Sequence, residues 1–170
     1  MPNRMDSIIS KGTGAVKAVE ARMHGLVGVF KVLSEQHGEA GALLRRVKRD
    51  PGKRAGLWPT IRQELVSHER AELRELYPVL GEHARLRELA DRHEVEAGQL
   101  SALIDRIQAT EMSSAAWGEL FDQLVEQVEQ HVKEEEGEIF PRAQDVIGAA
   151  RAKELEPLVL AAKKQIAMAL

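Results

Sequence analysis

Apolar residues recur every three or four positions along most of the chain, which is the spacing of amphipathic α-helices. We predict four principal helices and an alanine-rich fifth, covering about residues 15–47, 60–77, 84–107, 115–139 and 143–168. The connections between them are short, and none is long enough to separate two domains. The pattern therefore predicts an all-α fold, a four-helix up-down bundle with an additional C-terminal helix.

Helix breakers and caps set the expected limits of these elements. Pro78 and Gly81 close the second helix, and Pro141 marks a break after the fourth helix. We expect the fifth helix to kink near Pro157. Ser113 or Ser114 is the predicted N-cap of the fourth helix. The corresponding division is an N-terminal tail at 1–14, a bundle at 15–141, and a C-terminal helix packed on the bundle at 142–170.

The apolar stripes of the four principal helices each contain a histidine. His68 and His131 each begin the same motif, which has Glu four and seven residues later and then an aliphatic residue, an aromatic residue and a proline. A His and a Glu at i and i+4 lie on one face of a helix. His37 and His93 are matched by their own apolar neighbours in the other two helices. The chain thus has the pattern of a duplicated helical hairpin.

A buried histidine is more often a hydrogen-bonded core residue than a ligand, and an i,i+4 His-Glu pair is usually a surface ion pair. Here that interpretation would place four imidazoles and two carboxylates in one bundle with no cationic partner on the stripes. Leaving such groups unpaired costs several kcal/mol, on the order of magnitude of a small domain's stability. Metal coordination removes this cost. Six such ligands suit two adjacent ions, with iron favoured and manganese or zinc as alternatives.

Composition narrows the class of protein further. The chain has 170 residues, 44% hydrophobic and 30% charged, with a net charge of −3 and no cysteine. The absence of cysteine excludes disulfides and thiolate metal sites. The interspersed charges argue against nucleic acid as a partner. We find no apolar run long enough for a membrane span and no signal core near the N-terminus, and therefore expect a cytoplasmic protein.

The combination of His37, the His68/Glu72 motif, His93 and the His131/Glu135 motif resembles the hemerythrin-like, HHE cation-binding family over roughly residues 26–141. The resemblance implies a four-helix bundle with a non-haem di-iron centre that takes a small ligand such as oxygen, nitric oxide or peroxide. It also implies a ligand set, with Glu72 and Glu135 as candidates to bridge the ions. That set is His37, His68, Glu72, His93, His131 and Glu135.

Two departures from the oxygen-carrying hemerythrins leave questions open. Those proteins have a second histidine four residues after the third-helix histidine, where this chain has Ala97. Glu96, a water or an open position would complete the site. They also have an aspartate five residues after the fourth-helix histidine, so the ligand is either Glu135 or Glu136.

Several nearby residues are assigned lesser roles. His24 and His83 are expected to be surface or turn residues rather than ligands. Tyr77 most simply packs at the bundle end, with a hydrogen-bonding or redox role beside the metals as the alternative. Glu75 and Glu138 are either acceptors for imidazole N–H groups or solvated side chains.

The leading functional hypothesis is a protein that binds oxygen or a related small ligand at a di-iron centre, for sensing, storage or redox defence. A second hypothesis is an enzyme that turns over peroxide or nitric oxide at the same centre. A third is a non-catalytic interaction module with a structural metal, whose fifth helix mediates a homodimer.

Overall fold

The computed structural model describes residues 25–170, which contain helices and connecting turns but no strand. The element order is α1 (Val29–Arg49), a 3₁₀ turn (Pro51–Lys53), α2 (Arg54–Ala71), a first π turn (Glu72–Leu76), α3 (Tyr77–Gly81), α4 (Arg87–Gln108), α5 (Ala115–Glu134), a second π turn (Glu135–Ile139) and α6 (Phe140–Ala169). The predicted all-α bundle with a C-terminal helix is confirmed.

The first helix of the described residues begins at Val29. Gly25 and Gly28 have φ angles of 75° and 56°, so the chain is not helical there and α1 starts at Val29. The predicted N-terminal tail, the early part of the predicted first helix and His24 lie outside the described residues. The second helix, by contrast, begins six residues before the predicted Thr60, because the Pro51–Lys53 turn leads directly into α2 at Arg54.

Gly81 ends the helical segment that contains the second predicted helix, as expected, but the prediction that Pro78 and Pro141 break their helices is wrong. Both prolines lie within continuous helical segments, each just after a π turn. A proline lacks the N–H that an α-helix needs and its ring crowds the carbonyl four residues earlier. A wider π turn with i→i−5 bonding accommodates both defects without ending the helix. The two motif copies therefore share the same local distortion as well as the same residues.

The C-terminal helix changes direction at Gly148 rather than near Pro157. Gly148 has φ 83° and ψ 159°, a conformation that glycine adopts without a Cβ penalty. Residues 140–147 therefore extend the fourth bundle helix, and residues 149–169 fold back onto the bundle. Gly28 lies against this returning helix so closely that a Cβ there would collide with the backbone carbonyl of Ala152. The exact division of the chain at residue 141 stays a prediction.

The core consists of two apolar clusters with the histidines between them. One, the tryptophan cluster, surrounds the edge-to-face pair Trp58 and Trp117, whose ring centroids are 5.6 Å apart. The other, the Phe30 cluster, includes Phe140 and the returning C-terminal helix. Each histidine is flanked along its helix by residues of both clusters. For example, Leu33 and Leu44 lie on either side of His37. The polar site thus occupies a middle layer of the bundle.

The predicted N-cap of the fourth bundle helix is also confirmed. Ser114 caps α5, since its hydroxyl oxygen accepts a hydrogen bond of 3.2 Å from the backbone N–H of Trp117. Trp58 and Trp117 are packing residues with almost no exposed surface. No helix within residues 25–170 has both the length and the apolar character needed to cross a bilayer.

Candidate metal centre

All six residues predicted as ligands meet in the middle layer, and each is buried. A seventh, Glu69, lies among them. The seven, which we name the ligand cluster, form two groups whose potential ligand atoms lie within 4.8 Å of one another. The first group is His37, His68, Glu72 and Glu135, and the second group is Glu69, Glu72, His93 and His131.

The first group is organised around two converging imidazoles. Nε2 of His37 lies 3.1 Å from Nε2 of His68 and 3.1 Å from Oε2 of Glu135. Nε2 of His68 lies 3.3 Å from Oε2 of Glu72, the partner four residues later on the same helix. Two imidazole nitrogens and two carboxylate oxygens therefore face one small volume, which is a donor set suited to iron, manganese or zinc.

The second group depends on Glu69, which the sequence reasoning missed. Its two carboxylate oxygens lie 2.8 Å from Nε2 of His93 and 3.3 Å from Nε2 of His131. Glu69 directly follows His68, so it projects from a different angle of α2 and reaches across to α4 and α5. One feature of the sequence could have indicated Glu69: it is an acidic residue three positions before Glu72, one helical turn away on a similar face.

Two carboxylates connect the groups. Glu72 belongs to both groups. Glu135 approaches His37 at 3.1 Å, and it also lies 3.5 Å from a ring nitrogen of His93 and of His131. The backbone explains this symmetry, since Glu72 and Glu135 are the first residues of the two π turns. π turns inside helices occur frequently at functional sites.

Outer polar contacts fix the orientation of the first two imidazoles. Nδ1 of His68 donates to Oε1 of Gln36 at 2.8 Å, and Nδ1 of His37 donates to Oε1 of Glu136 at 3.0 Å. Ser34 also donates to that Glu136 oxygen, at 2.9 Å. With Nδ1 engaged outward, each ring presents Nε2 to the cluster, as second-shell partners of metal-bound histidines do. The structure thus places Glu135 inside the cluster and Glu136 outside it.

Tyr77 borders the cluster instead of only capping the bundle end. Its hydroxyl donates a 2.6 Å hydrogen bond to Oε1 of Glu135, and its ring stacks on His93 with centroids 3.5 Å apart. Burial, followed by the charges of Glu135 and Glu72, raises the pKa of Tyr77 well above its usual value. The phenol is therefore a neutral donor beside the site.

In the absence of metal, burial and neighbouring charges shift the pKa values of the first group in different directions. Burial raises the pKa of Glu72 well above its usual value, and the neighbouring Glu135 and Glu69 add to the effect. Burial also lowers the pKa of His68, with help from the charge of His37. For His37, burial is outweighed by hydrogen bonds to Glu135 and Glu136, which raise its pKa.

In the second group, ion pairs shift the pKa values more strongly than burial does. The pKa of His131 rises to about 9 despite burial, because Glu135 and Glu69 stabilise its charged form. The pKa of Glu69 falls to about 2 because contacts with His131 and His93 outweigh burial. Contacts with His131 and His37 likewise lower the pKa of Glu135. Metal ions would replace protons at several of these positions, so metal uptake would release protons.

Unsatisfied polar atoms provide a test of whether the cluster fits a metal. Nine buried side-chain nitrogen and oxygen atoms within the described part of the chain lack a hydrogen-bond partner, and seven of them belong to the ligand cluster. They come from Glu69, Glu72, His93, His131 and Glu135. Buried polar atoms without partners are costly. Lone pairs directed at bound cations would satisfy them, so the residues present fit a metal.

The remaining predicted neighbours lie away from the cluster. Glu96 is partly exposed and pairs with Arg92 at 3.8 Å, so it does not fill the position left by Ala97. Glu75 and Glu138 pair with arginines and make no contact with an imidazole, which excludes them as acceptors for the ligand histidines. His83 lies in the turn between α3 and α4, as expected.

Fold and cluster together define a class of protein, a four-helix bundle with a buried His and carboxylate site that can hold metal. The chain belongs to the hemerythrin family, since the sequence model of the hemerythrin HHE cation-binding domain matches residues 29–143. No significant match was found among curated proteins or among solved structures. The matched region contains every member of the ligand cluster but ends before the returning C-terminal helix.

Proposed function

We propose that the ligand cluster binds two iron ions and that the resulting centre binds oxygen or a related small ligand, for sensing, storage or redox defence. The observation that carries the proposal is the pair of four-residue groups sharing Glu72. Each group offers enough nitrogen and oxygen donors for one ion, and the shared carboxylate suits an ion pair. Manganese or zinc are the alternatives that this donor set also accepts.

The roles of the chain's own residues follow from their positions. His37 and His68 would hold one ion, and Glu69, His93 and His131 the other, with Glu72 and Glu135 between them. Gln36 and Glu136 orient the first two imidazoles. When bound, iron supplies reversible redox chemistry and open coordination positions for a ligand.

The size of the adjacent space supports a small ligand. A cavity of about 20 Å³ borders the cluster at His37, His68, Glu69 and His131. That volume is about the minimum for a single water molecule. A ligand of a few atoms suits this space better than an organic substrate does. Larger cavities of about 700, 310 and 160 Å³ each touch the cluster at one member only, His37, Glu69 and His131 respectively.

Metal content and visible absorption test the proposal together. We expect protein purified without added metal and then loaded anaerobically with ferrous iron to retain two ions per chain. Adding oxygen or azide should then produce new absorption bands in the visible range. Retention of no transition metal would contradict the proposal. Retention of zinc alone, without any absorption change in iron-loaded samples, would instead support a structural metal.

Tyr77 favours a second candidate function, the turnover of peroxide or nitric oxide. A phenol that donates to Glu135 at 2.6 Å is placed to supply a proton at the edge of the cluster. We expect an enzyme to show steady-state decay of peroxide that slows by about 100-fold in Tyr77→Phe with metal content unchanged. A protein that only binds ligands would show no such decay.

A further inference from the structure

Lys163 is the one lysine or arginine among the residues that line the small cavity beside the ligand cluster. It comes from the returning part of α6, at residues 149–169, which lies beyond the region matched by the family. The cavity has the ligand cluster on one side and this helix on the other. The helix thus adds a cation to a wall of the cavity.

The position of Lys163 is well determined by its surroundings. The helix is anchored in the Phe30 cluster by Val159 and Ala162, which have almost no exposed surface. Just C-terminal to Lys163, the helix is tied to α2 and the first π turn. Nε2 of Gln63 donates to the carbonyl of Ala167 at 3.0 Å, and Arg74 donates to Gln165 at 2.9 Å. These contacts hold the lysine against the cavity.

The ammonium group of Lys163 is mostly buried, whereas its acidic partner, Glu64, is more exposed. Nζ of Lys163 lies 2.7 Å from Oε2 of Glu64, and the side chains are 16% and 38% exposed respectively. Solvent screens the Glu64 carboxylate more than the ammonium group, since screening increases with exposure. Lys163 lines the same cavity as four members of the cluster, His37, His68, Glu69 and His131.

We propose that Lys163 makes this cavity a binding site for a small anion next to the metal centre. The proposal rests on the proposed function, because the anion is held between the bound metal and the ammonium group. Two carboxylates also border the cavity. Glu69 faces His93 and His131, and Glu64, the more exposed partner of Lys163, offsets only part of the lysine's charge. Lys163 therefore selects anionic ligands over neutral ones of the same size.

Azide and nitric oxide are suitable probes, since both are small and only azide is charged. In the iron-loaded protein, we expect Lys163→Met to raise the dissociation constant of azide by about tenfold, a loss comparable to one partly screened charge interaction. The dissociation constant of nitric oxide should change by less than about twofold, because a neutral ligand gains little from the charge. Lys163→Arg should retain most of the azide affinity.

Two further variants separate this role from a structural one. Lys164→Met removes the neighbouring exposed lysine and should leave azide binding unchanged. Glu64→Gln releases Lys163 from its ion pair and should strengthen azide binding, the direction opposite to Lys163→Met. A merely structural salt bridge predicts that Lys163→Met and Glu64→Gln weaken binding alike.

The outcomes distinguish the two proposals. Two irons per chain in every variant, with azide affinity equal in wild type and Lys163→Met, would overturn the anion site and leave the proposed function standing. Equal weakening of azide and nitric oxide would also overturn the anion site, because the effect would not depend on charge. A wild-type protein that retains no metal would overturn both.

Discussion

The two halves of the bundle carry the same motif, but its histidines lie in opposite electrostatic environments. The pKa of His68 in the first half is well below its usual value, because it is buried beside His37. The pKa of His131 in the second half rises to about 9, because Glu135 and Glu69 outweigh its burial. Duplicated sequence has therefore not produced a symmetric site.

The difference originates in the residues next to the motif. In the first half, His68 is followed by Glu69, which crosses to the second group. The equivalent residue after His131 is Val132, which packs near the tryptophan cluster. In the second half, Glu135 is followed by Glu136, which contacts His37, whereas Glu72 is followed by Leu73. Each half thus supplies an acid that completes the surroundings of the other half's histidine.

Removing a shared carboxylate should have the largest effect. Glu72 belongs to both groups, so Glu72→Gln should weaken the binding of both ions by about 100-fold or more, beyond the 10–100-fold typical of outer partners. Metal content after dialysis measures this effect. Glu75→Gln is the matched control, since Glu75 lies one turn away and pairs with Arg74. Full retention of two ions in Glu72→Gln would rule out Glu72 as a shared ligand.

Replacing Glu69, an acid that has no counterpart in the second half, should affect the binding of one ion only. Glu69→Val gives the first half the residue type that the second half has at Val132. We expect the second group to lose its ion while the first group keeps one, so metal content falls from two ions to one. The metal-free variant should unfold at a lower temperature, because the buried His131 loses one of its compensating carboxylates. A content of two ions would show that Glu69 is not a ligand.

The fold and most of the ligand cluster could be predicted from the sequence, and there is a physical reason why the rest could not. The helices, the middle position of His37 and the four-helix arrangement follow from apolar periodicity, which is a local property. Glu69 was missed because it lies outside the repeated spacing, and its partners come from α4 and α5. The spacing places Glu69 one turn before Glu72, but it does not reveal that this acid reaches across the bundle.

The backbone features that the sequence did not predict also depend on tertiary packing rather than on local sequence. Pro78 and Pro141 are strong helix breakers by local rules, yet packing on both sides keeps the helices continuous through π turns. The turn at Gly148 instead depends on a positive φ that the sequence allows without requiring. Lys163 reaches the cluster only because of that turn.

The smallest expected effect is a pH dependence that separates the two histidines in the metal-free protein. The folded state raises the pKa of His131 from about 6.5 to about 9, so its contribution to stability is complete below pH 6.5 and is lost as the pH rises through 9. His68 behaves oppositely. Its pKa is lowered in the folded state, so it costs nothing above pH 6.5 and destabilises the fold increasingly as the pH falls below that value.

Thermal unfolding of metal-free protein between pH 5 and pH 9 would measure both contributions. His131→Gln should remove part of the loss of stability between about pH 7 and 9, amounting to a few kcal/mol in order of magnitude. His37 and Glu72, whose pKa values are also raised, contribute losses of stability in the same direction as the pH rises. His68→Gln should instead improve stability on the acidic side, at about pH 5 to 6. Parallel shifts of the two variants at every pH would show that the halves are electrostatically equivalent, since only opposite environments give opposite slopes.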